Sequence, residues 1–328
     1  MIFVTGGSGL IGSFLIPALV ARGHAVRALY RKQVPALAAA AGVEWVEGDV
    51  RDTLGLQSAM DGVTHVFHCA GLVSYSPQDE DALLQTNVEG TAAVVDACLA
   101  RPGVRLCYVS SVAALGSAAA EAGGAAAGQT VDEEAKWDLG AEHAAYATSK
   151  YLAELEVWRG ITEGLSAVMV NPSVVLGPAN WARSSTRLFH YAYQEHAFYT
   201  PGSLNFVDVR DVVQTMLQLT LDTAISGERF VLSAGAVPLH EFLAQAAHCF
   251  GKKPPTVAVP DWAAEIIWRL EHGRSVLTGA RPLITKDTAR AGRRRVIYSA
   301  EKVRKALGMS FRPLAETVQW CCAGLRPN

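Results

Sequence analysis

Over the first 175 residues, short apolar runs alternate with stretches of helical spacing. Ile2–Thr5, Ala25–Tyr30, Val43–Gly48, His65–Cys69, Arg105–Ser110 and Ala167–Val170 are four to six residues long and rich in Val, Ile and Leu. Such runs predict strands buried on both faces. Between them, amphipathic patterns predict helices over Leu10–Arg22, Val34–Ala41, Leu54–Met60, Ala82–Ala100 and Ala144–Glu163. Strand, helix, strand in regular alternation predicts an α/β chain: a doubly wound parallel sheet covered by helices on both sides.

The pattern changes after Pro172. The stretch "PSVVLGPANWARSSTRLFHYAYQEHAFYTPGSLNF" is rich in aromatic and turn residues. "FVDVRDVVQTMLQLTL" then reads as a turn followed by a helix, and "ERFVLS" as one more strand. From residue 235 the chain reads as mostly helical, punctuated by Pro254, Pro255, Pro260, Pro282 and Pro313. The expected division is a sheet-forming domain over 1–171 and 205–234, and a smaller, mostly helical C-terminal substrate lobe over 172–204 and 235–328. "GSAAAEAGGAAAGQT", residues 116–130, is an Ala/Gly segment with little periodicity and reads as a surface loop.

Composition narrows the class. With 328 residues, 50% of them hydrophobic, the chain can bury a large core. A formal charge of −2 supplies no global field for nucleic acid or an anionic membrane. The basic run "RAGRRRV", 290–296, lacks a wider basic face and interleaved aromatics, so it reads as a solvated segment. Cysteines at 69, 98, 107, 249, 321 and 322 form no C-x-x-C pair, and no His pair has metal-ligand spacing, so no metal is expected. Cys321 and Cys322 read as helix-packing residues, and the thiols as reduced, which suits the cytoplasm. Met1 leads directly into an apolar strand, so no targeting segment is expected. No apolar run reaches the ~18 residues of a membrane span. "WAAEIIW", 262–268, is short and contains Glu265, and is the one candidate for peripheral membrane contact.

Candidate chemistry begins at "VTGGSGLIG". Gly6, Gly9 and Gly12 follow the first strand and open the first helix. Glycines let a backbone approach a pyrophosphate, and the helix N-terminus supplies oriented N–H donors, so the turn predicts a dinucleotide site. At the end of the second strand stands "AVRALYRK". An acid there would bond a ribose 2′-hydroxyl; Arg31 and Lys32 would instead pair with a 2′-phosphate. The stretch argues for NADP(H) over NAD(H). Asp49, in "EGDVRD", is a candidate partner for the adenine amino group or a turn cap.

"AYATSK" places Tyr146 and Lys150 on one helix face. A phenol ionises near pH ~10, and a nearby ammonium, with an oxidised nicotinamide ring beside it, is expected to lower that value. Tyr146 could then exchange a proton with a carbonyl oxygen. Ser110 and Ser111 end the fifth strand, where a parallel sheet collects its ligands, and a hydroxyl there could bond the same oxygen. Arg183 and Arg187 read as surface charges or contacts for an anionic group. Trp181, Phe189, Tyr191, Tyr193, Phe198 and Tyr199 read as lobe core, some of them able to line an apolar substrate pocket.

In this order, "TGGSGLIG", "GDVRD", "HCAG", "NVEGT", "VSSVAALG", "YATSK", "NPSVVLGP" and "FVDVRDVV" resemble the extended branch of the short-chain dehydrogenase/reductase superfamily, with its Rossmann-type fold. The spacing and the Arg after strand two are most similar to dihydroflavonol-4-reductase-like and 3β-hydroxysteroid-dehydrogenase-like members. The resemblance implies that Ser111 (Ser110 as the alternative), Tyr146 and Lys150 are catalytic. It implies cofactor contacts from Gly6, Gly9, Leu10, Ile11, Gly12, Tyr30, Arg31, Lys32, Asp49, Val50, Cys69, Ala70, Gly71, Asn87, Tyr146, Lys150, Pro172, Ser173 and Val174. It also implies that the 116–130 loop lies over the active site, and a homodimer through the helices near 82–100 and 144–163. The expected activity is NADP(H)-dependent oxidoreduction of a small-molecule ketone, aldehyde or alcohol. One rival is an NAD-dependent nucleotide-sugar epimerase or dehydratase, which usually carries an acid near position 30. Another is a non-catalytic NADP(H) sensor, which would not need the Tyr/Lys pair.

Overall fold

The computed structural model describes residues 1–32, 42–116, 130–181, 185–260, 262–263, 265–269, 274 and 296–325. Its main sheet holds seven parallel strands: β1 (Ile2–Thr5), β2 (Val26–Tyr30), β3 (Val43–Glu47), β4 (His65–His68), β5 (Arg105–Val109), β6 (Ser166–Pro172) and β7 (Glu228–Leu232). Their order is β7-β6-β5-β4-β1-β2-β3. The central strand β1 sets the register, with Ile2 opposite Val26 on one side and His65 on the other. The winding direction reverses between β1 and β4. Two crossover connections leave in opposite directions there, so a crevice opens at the carboxyl ends of these strands.

Alternation along each strand feeds two cores. Ile2 and Val4 face α1 (Leu10–Ala21) and pack with Leu15, Leu19, Val212 and Met216. Phe3 faces the other way, with Val66 and Leu106, against Leu56, Val94 and Val157. Those last three residues lie on α2 (Thr53–Ala59), α3 (Gly90–Leu99) and α4 (Ala145–Thr162). This is the Rossmann-like α/β arrangement that the apolar runs predict. Strand β6 is longer than its run suggests, reaching Pro172 because Asn171 and Pro172 still pair with Val231 and Leu232.

Two readings are corrected. "FVDVRD" is not a turn. Ser203–Asp208 is a strand, parallel to Val174–Leu176 and antiparallel to Gly235–Pro238, in a second, three-stranded sheet. Phe206 buries into the second lobe while Val207 buries into the main core. Burial on both faces outweighs the turn signal of Asp208. Asp208 instead caps the following helix α5 (Val209–Leu217). The expected helix Ala82–Ala100 is also interrupted: Leu84–Glu89 is a π-helical turn between Glu80–Leu83 and α3.

The second lobe has its own core of Leu176, Phe189, Phe206, Phe242, Leu314 and Cys321. Cys321 and Cys322 are buried on the helix Leu314–Gly324, and the six cysteines are free. No helix among the described residues is long and apolar enough to cross a membrane. The expected helix Val34–Ala41, the interior of the 116–130 loop, Arg183, Pro282 and the basic run before Val296 lie outside the described residues.

Asp208 joins the two sheets to α5. Its fully buried carboxylate accepts from the Arg210 backbone N–H at 2.8 Å, and from Nε at 3.0 Å and Nη2 at 2.6 Å. Asp208→Ala removes the cap and one side of this pair, so urea unfolding should report a loss of about 2–4 kcal/mol.

Candidate active site

The glycine turn is built by close approach. Gly6 has φ +68°, and a Cβ there would lie 2.5 Å from the Ala70 backbone nitrogen. A Cβ on Gly12 would run into the Gly6 carbonyl. Glycine at both positions therefore lets β1, α1 and the end of β4 meet. The Gly9 N–H donates to the Gly6 carbonyl at 2.9 Å. No side chain caps α1, and no acid occupies its first turn, where Leu10 and Ile11 sit. The helix N-terminus thus keeps its positive end for an anion, and these residues fit a dinucleotide pyrophosphate.

At the far end of the crevice, β2 delivers Tyr30, Arg31 and Lys32. Tyr30 packs edge-on to Trp45 at 6.5 Å. Arg31 is 62% exposed and stands 4.0 Å from the Asp49 carboxylate. Asp49 accepts from the Arg51 backbone N–H at 3.0 Å, Nε at 3.1 Å and Nη2 at 3.2 Å. These bonds hold its carboxyl below the usual carboxylate range, against the opposing effect of burial. Val50 is buried under Gly90, where a Cβ would come within 2.7 Å of its methyl. Arg51 was not singled out from the sequence. Its position two residues after Asp49 adds a third cation to this end.

The middle of the crevice gathers the polar residues. Ser111 caps the short helix Val112–Leu115, accepting from the Ala113 N–H at 3.2 Å, and its side chain lies beside the Tyr146 hydroxyl. Tyr146 is nearly fully buried in the first turn of α4, its ring edge-on to Tyr75 at 5.7 Å. Burial raises this phenol, and Ser111 beside it only partly opposes the rise. Lys150 directs its bonds elsewhere, to the Tyr108 hydroxyl at 3.1 Å and the Val109 carbonyl at 2.9 Å. Burial pushes the lysine down to about 8. A Cβ on Gly71 would meet only Asn87 Oδ1 at 3.4 Å and the Lys150 Nζ at 3.6 Å, so this glycine keeps the wall above both side chains low.

Asn87 sits in the π-helical turn and is buried. It accepts from the Leu72 N–H at 2.7 Å and donates to the Leu72 carbonyl at 3.0 Å and to Ser149 Oγ at 2.9 Å. It thereby ties the segment after β4 to α4, one residue before Lys150. The widened turn is the backbone device that turns this side chain inward. Cys69 and Ala70 complete that segment: the Ala70 N–H donates to Thr5 Oγ1 at 3.2 Å, and burial raises the Cys69 thiol. Pro172 closes β6. The Ser173 N–H donates to the Leu232 carbonyl at 2.9 Å, while its buried hydroxyl has no hydrogen-bond partner in the protein, and Val174 opens the second sheet.

Several residues in this region escaped the sequence reading. Glu154 lies one turn beyond Lys150 on the same face, a spacing that could have flagged it. It is buried, accepts from Asn171 Nδ2 at 3.2 Å and faces Arg229 at 3.7 Å. Asn171 also donates to the Ser111 carbonyl at 3.1 Å, so this pair supports the serine from below. Ser110 is buried on that side, turned toward Glu154 without a well-formed hydrogen bond. Trp137 stacks on His143 at 3.8 Å and on Tyr151 at 4.3 Å, fixing the chain that leads into α4. Among the described residues, no group of three or more His, Cys, Asp or Glu could hold a metal ion.

Residues 2–232 match the model of the NAD dependent epimerase/dehydratase family. A putative dihydroflavonol 4-reductase of Synechocystis is 31% identical over 97% of this chain and 93% of that protein. Sterol demethylase protein B of Methylococcus capsulatus is 32% identical over 78% and 76% of the two chains. The crystal structure of gox2253 superposes with a TM-score of 0.81 at 30% identity, covering 99% of this chain and 97% of that one. With this match over most of its length, and with the glycine turn, sheet order and crevice described above, the chain belongs to the NAD dependent epimerase/dehydratase family of extended short-chain dehydrogenases/reductases, enzymes that act on CH–OH and C=O groups.

Proposed function

We propose that this protein is an NADP(H)-dependent reductase of an apolar ketone or aldehyde, working reversibly as an alcohol dehydrogenase. The observation that carries the proposal is that Ser111 lies beside the Tyr146 hydroxyl, while Lys150, one helical turn on from Tyr146, brings its amine to Gly71 at the end of β4. The bound dinucleotide supplies the hydride. Tyr146 gives its proton to the carbonyl oxygen. A phenol raised by burial holds that proton throughout the neutral range, which suits the reducing direction. Ser111 donates to the same oxygen and polarises it. Lys150 spends two N–H bonds on Tyr108 and Val109 and turns its remaining donor toward the cofactor ribose.

The substrate class rests on the neighbours of Tyr146. Tyr75 and Val73 are 42% and 55% exposed, and they offer an apolar and aromatic surface next to the phenol. A relative named as a dihydroflavonol 4-reductase supports reduction of such a carbonyl. The cofactor preference rests on Arg31 and Lys32 in the place where an acid would select the ribose hydroxyl. A preparation that carries tightly bound NAD and acts on nucleotide sugars would favour epimerase or dehydratase chemistry instead.

Three outcomes are expected. The double substitution Arg31→Ala/Lys32→Ala should weaken NADPH binding about tenfold or more, with NADH changed far less, as read by titration calorimetry. Equal losses for both would overturn the phosphate assignment. Tyr146→Phe should lower kcat by about 10²–10⁴ with NADPH affinity retained. In the parent enzyme, a positively charged Lys150 is present below about pH 8 and is lost above it, so reduction should decline on that alkaline side.

A further inference from the structure

Behind Lys150 lies a buried polar chain that the reaction proposed above does not use. Lys150 is a donor only, so its 3.1 Å bond makes the Tyr108 hydroxyl the acceptor. The Tyr108 proton must then point away from the amine, on the side where Thr91 lies. Thr91 spends its own proton on the Asn87 carbonyl at 2.5 Å. Its oxygen is therefore left to accept from His68 Nε2 at 3.0 Å. His68 then carries its proton on Nε2, and its bare Nδ1 accepts from Thr5 Oγ1 at 2.6 Å. Thr5 Oγ1 accepts in turn from the Ala70 N–H. The Asn87 carbonyl, which can only accept, fixes the direction at Thr91 and through it at His68, and the set closes only with a neutral imidazole. Burial and the nearby Lys150 charge push His68 down to about 3, in agreement. The Tyr108 and His68 rings stack at 5.4 Å, so the chain is rigid as well as directional.

We infer that Tyr108 is a positioning residue for Lys150: its hydroxyl, aligned by Thr91 and neutral His68, holds the ammonium from the sheet side and aims its free donor into the crevice. This rests on the reductase reading for its consequence in catalysis, while the lysine geometry itself does not. The groups facing Lys150 are His68 and Cys69 at the end of β4, Tyr108 on β5, Asn87 in the π-helical turn, and Glu154 on its own helix. Of these, only Tyr108 supplies a side-chain bond to the ammonium among the described residues.

The test is Tyr108→Phe, which keeps the ring stack and removes one acceptor of the charged amine. Losing a bond to the charged form disfavours it, so Lys150 should titrate about one pH unit or more lower than in the parent. Side-chain nitrogen NMR on lysine-labelled protein reads this directly, with the signal assigned by its loss in Lys150→Arg. The alkaline limb of kcat/KM should move to lower pH by the same amount, and NADPH binding should weaken, with the melting temperature close to that of the parent. Thr91→Val, which leaves the Lys150 bond in place but removes the acceptor that aligns Tyr108, should produce a smaller shift in the same direction. An unchanged Lys150 titration in folded Tyr108→Phe would overturn the inference. The titration is read without substrate, so failure of the reductase reading would appear separately, as absent turnover in the parent.

Discussion

A seven-stranded parallel sheet can be built only if both of its faces are buried, and that requirement orders the rest of this molecule. Ile2 and Val4 on one face and Phe3 on the other each need a helical layer, and the chain supplies the layers by winding outward from β1 in two directions. The reversal leaves the carboxyl ends of β1 and β4 without a crossing connection between them. The same packing that stabilises the sheet therefore opens the crevice. Gly6 and Gly12 then allow α1 to start at its floor, where a side chain on either would collide with backbone.

The crevice carries two different electrostatic environments. The end beside β2 and β3 is solvated: Arg31 is mostly exposed, Arg51 bonds Asp49, and charge is handled by pairing in water. Its reactive end is dry. Lys150, Tyr146, His68, Asn87 and Glu154 are buried, and each titratable group among them is displaced from its ordinary value first of all by desolvation. Burial at such a cost persists where hydrogen bonds compensate it. Tyr108 and Val109 do so for the lysine, Asn171 for Glu154, and Thr5 and Thr91 for His68.

This division decides what the polar ends of Tyr146 and Lys150 each touch, which the Y-x-x-x-K spacing alone does not give. Spacing on a helix places two side chains on one face, but it does not say which atoms their polar ends find. Here the sheet offers Lys150 a carbonyl and a hydroxyl at its own depth, and the phenol is left to Ser111 and to the apolar ring of Tyr75.

The amino-acid sequence by itself determined the alternation of strands and helices, the glycine turn, and the cations after β2. Each of these is a local pattern whose physical cause lies within a few residues: period, propensity and backbone freedom. It did not determine that "FVD" ends a strand, because the burial of Phe206 and Val207 in two different cores depends on partners from Leu176 to Phe242 and from Val4 to Met216. Nor did it determine the π-helical turn around Asn87, the support of Ser111 by Glu154 and Asn171, or the chain from Thr5 through His68 and Thr91 to Tyr108. Those contacts join residues up to 65 positions apart, and only the packed sheet brings them within hydrogen-bond reach. The direction of their protons follows from the groups that have one role only: the Lys150 ammonium and the Ala70 N–H donate, and the Asn87 carbonyl accepts.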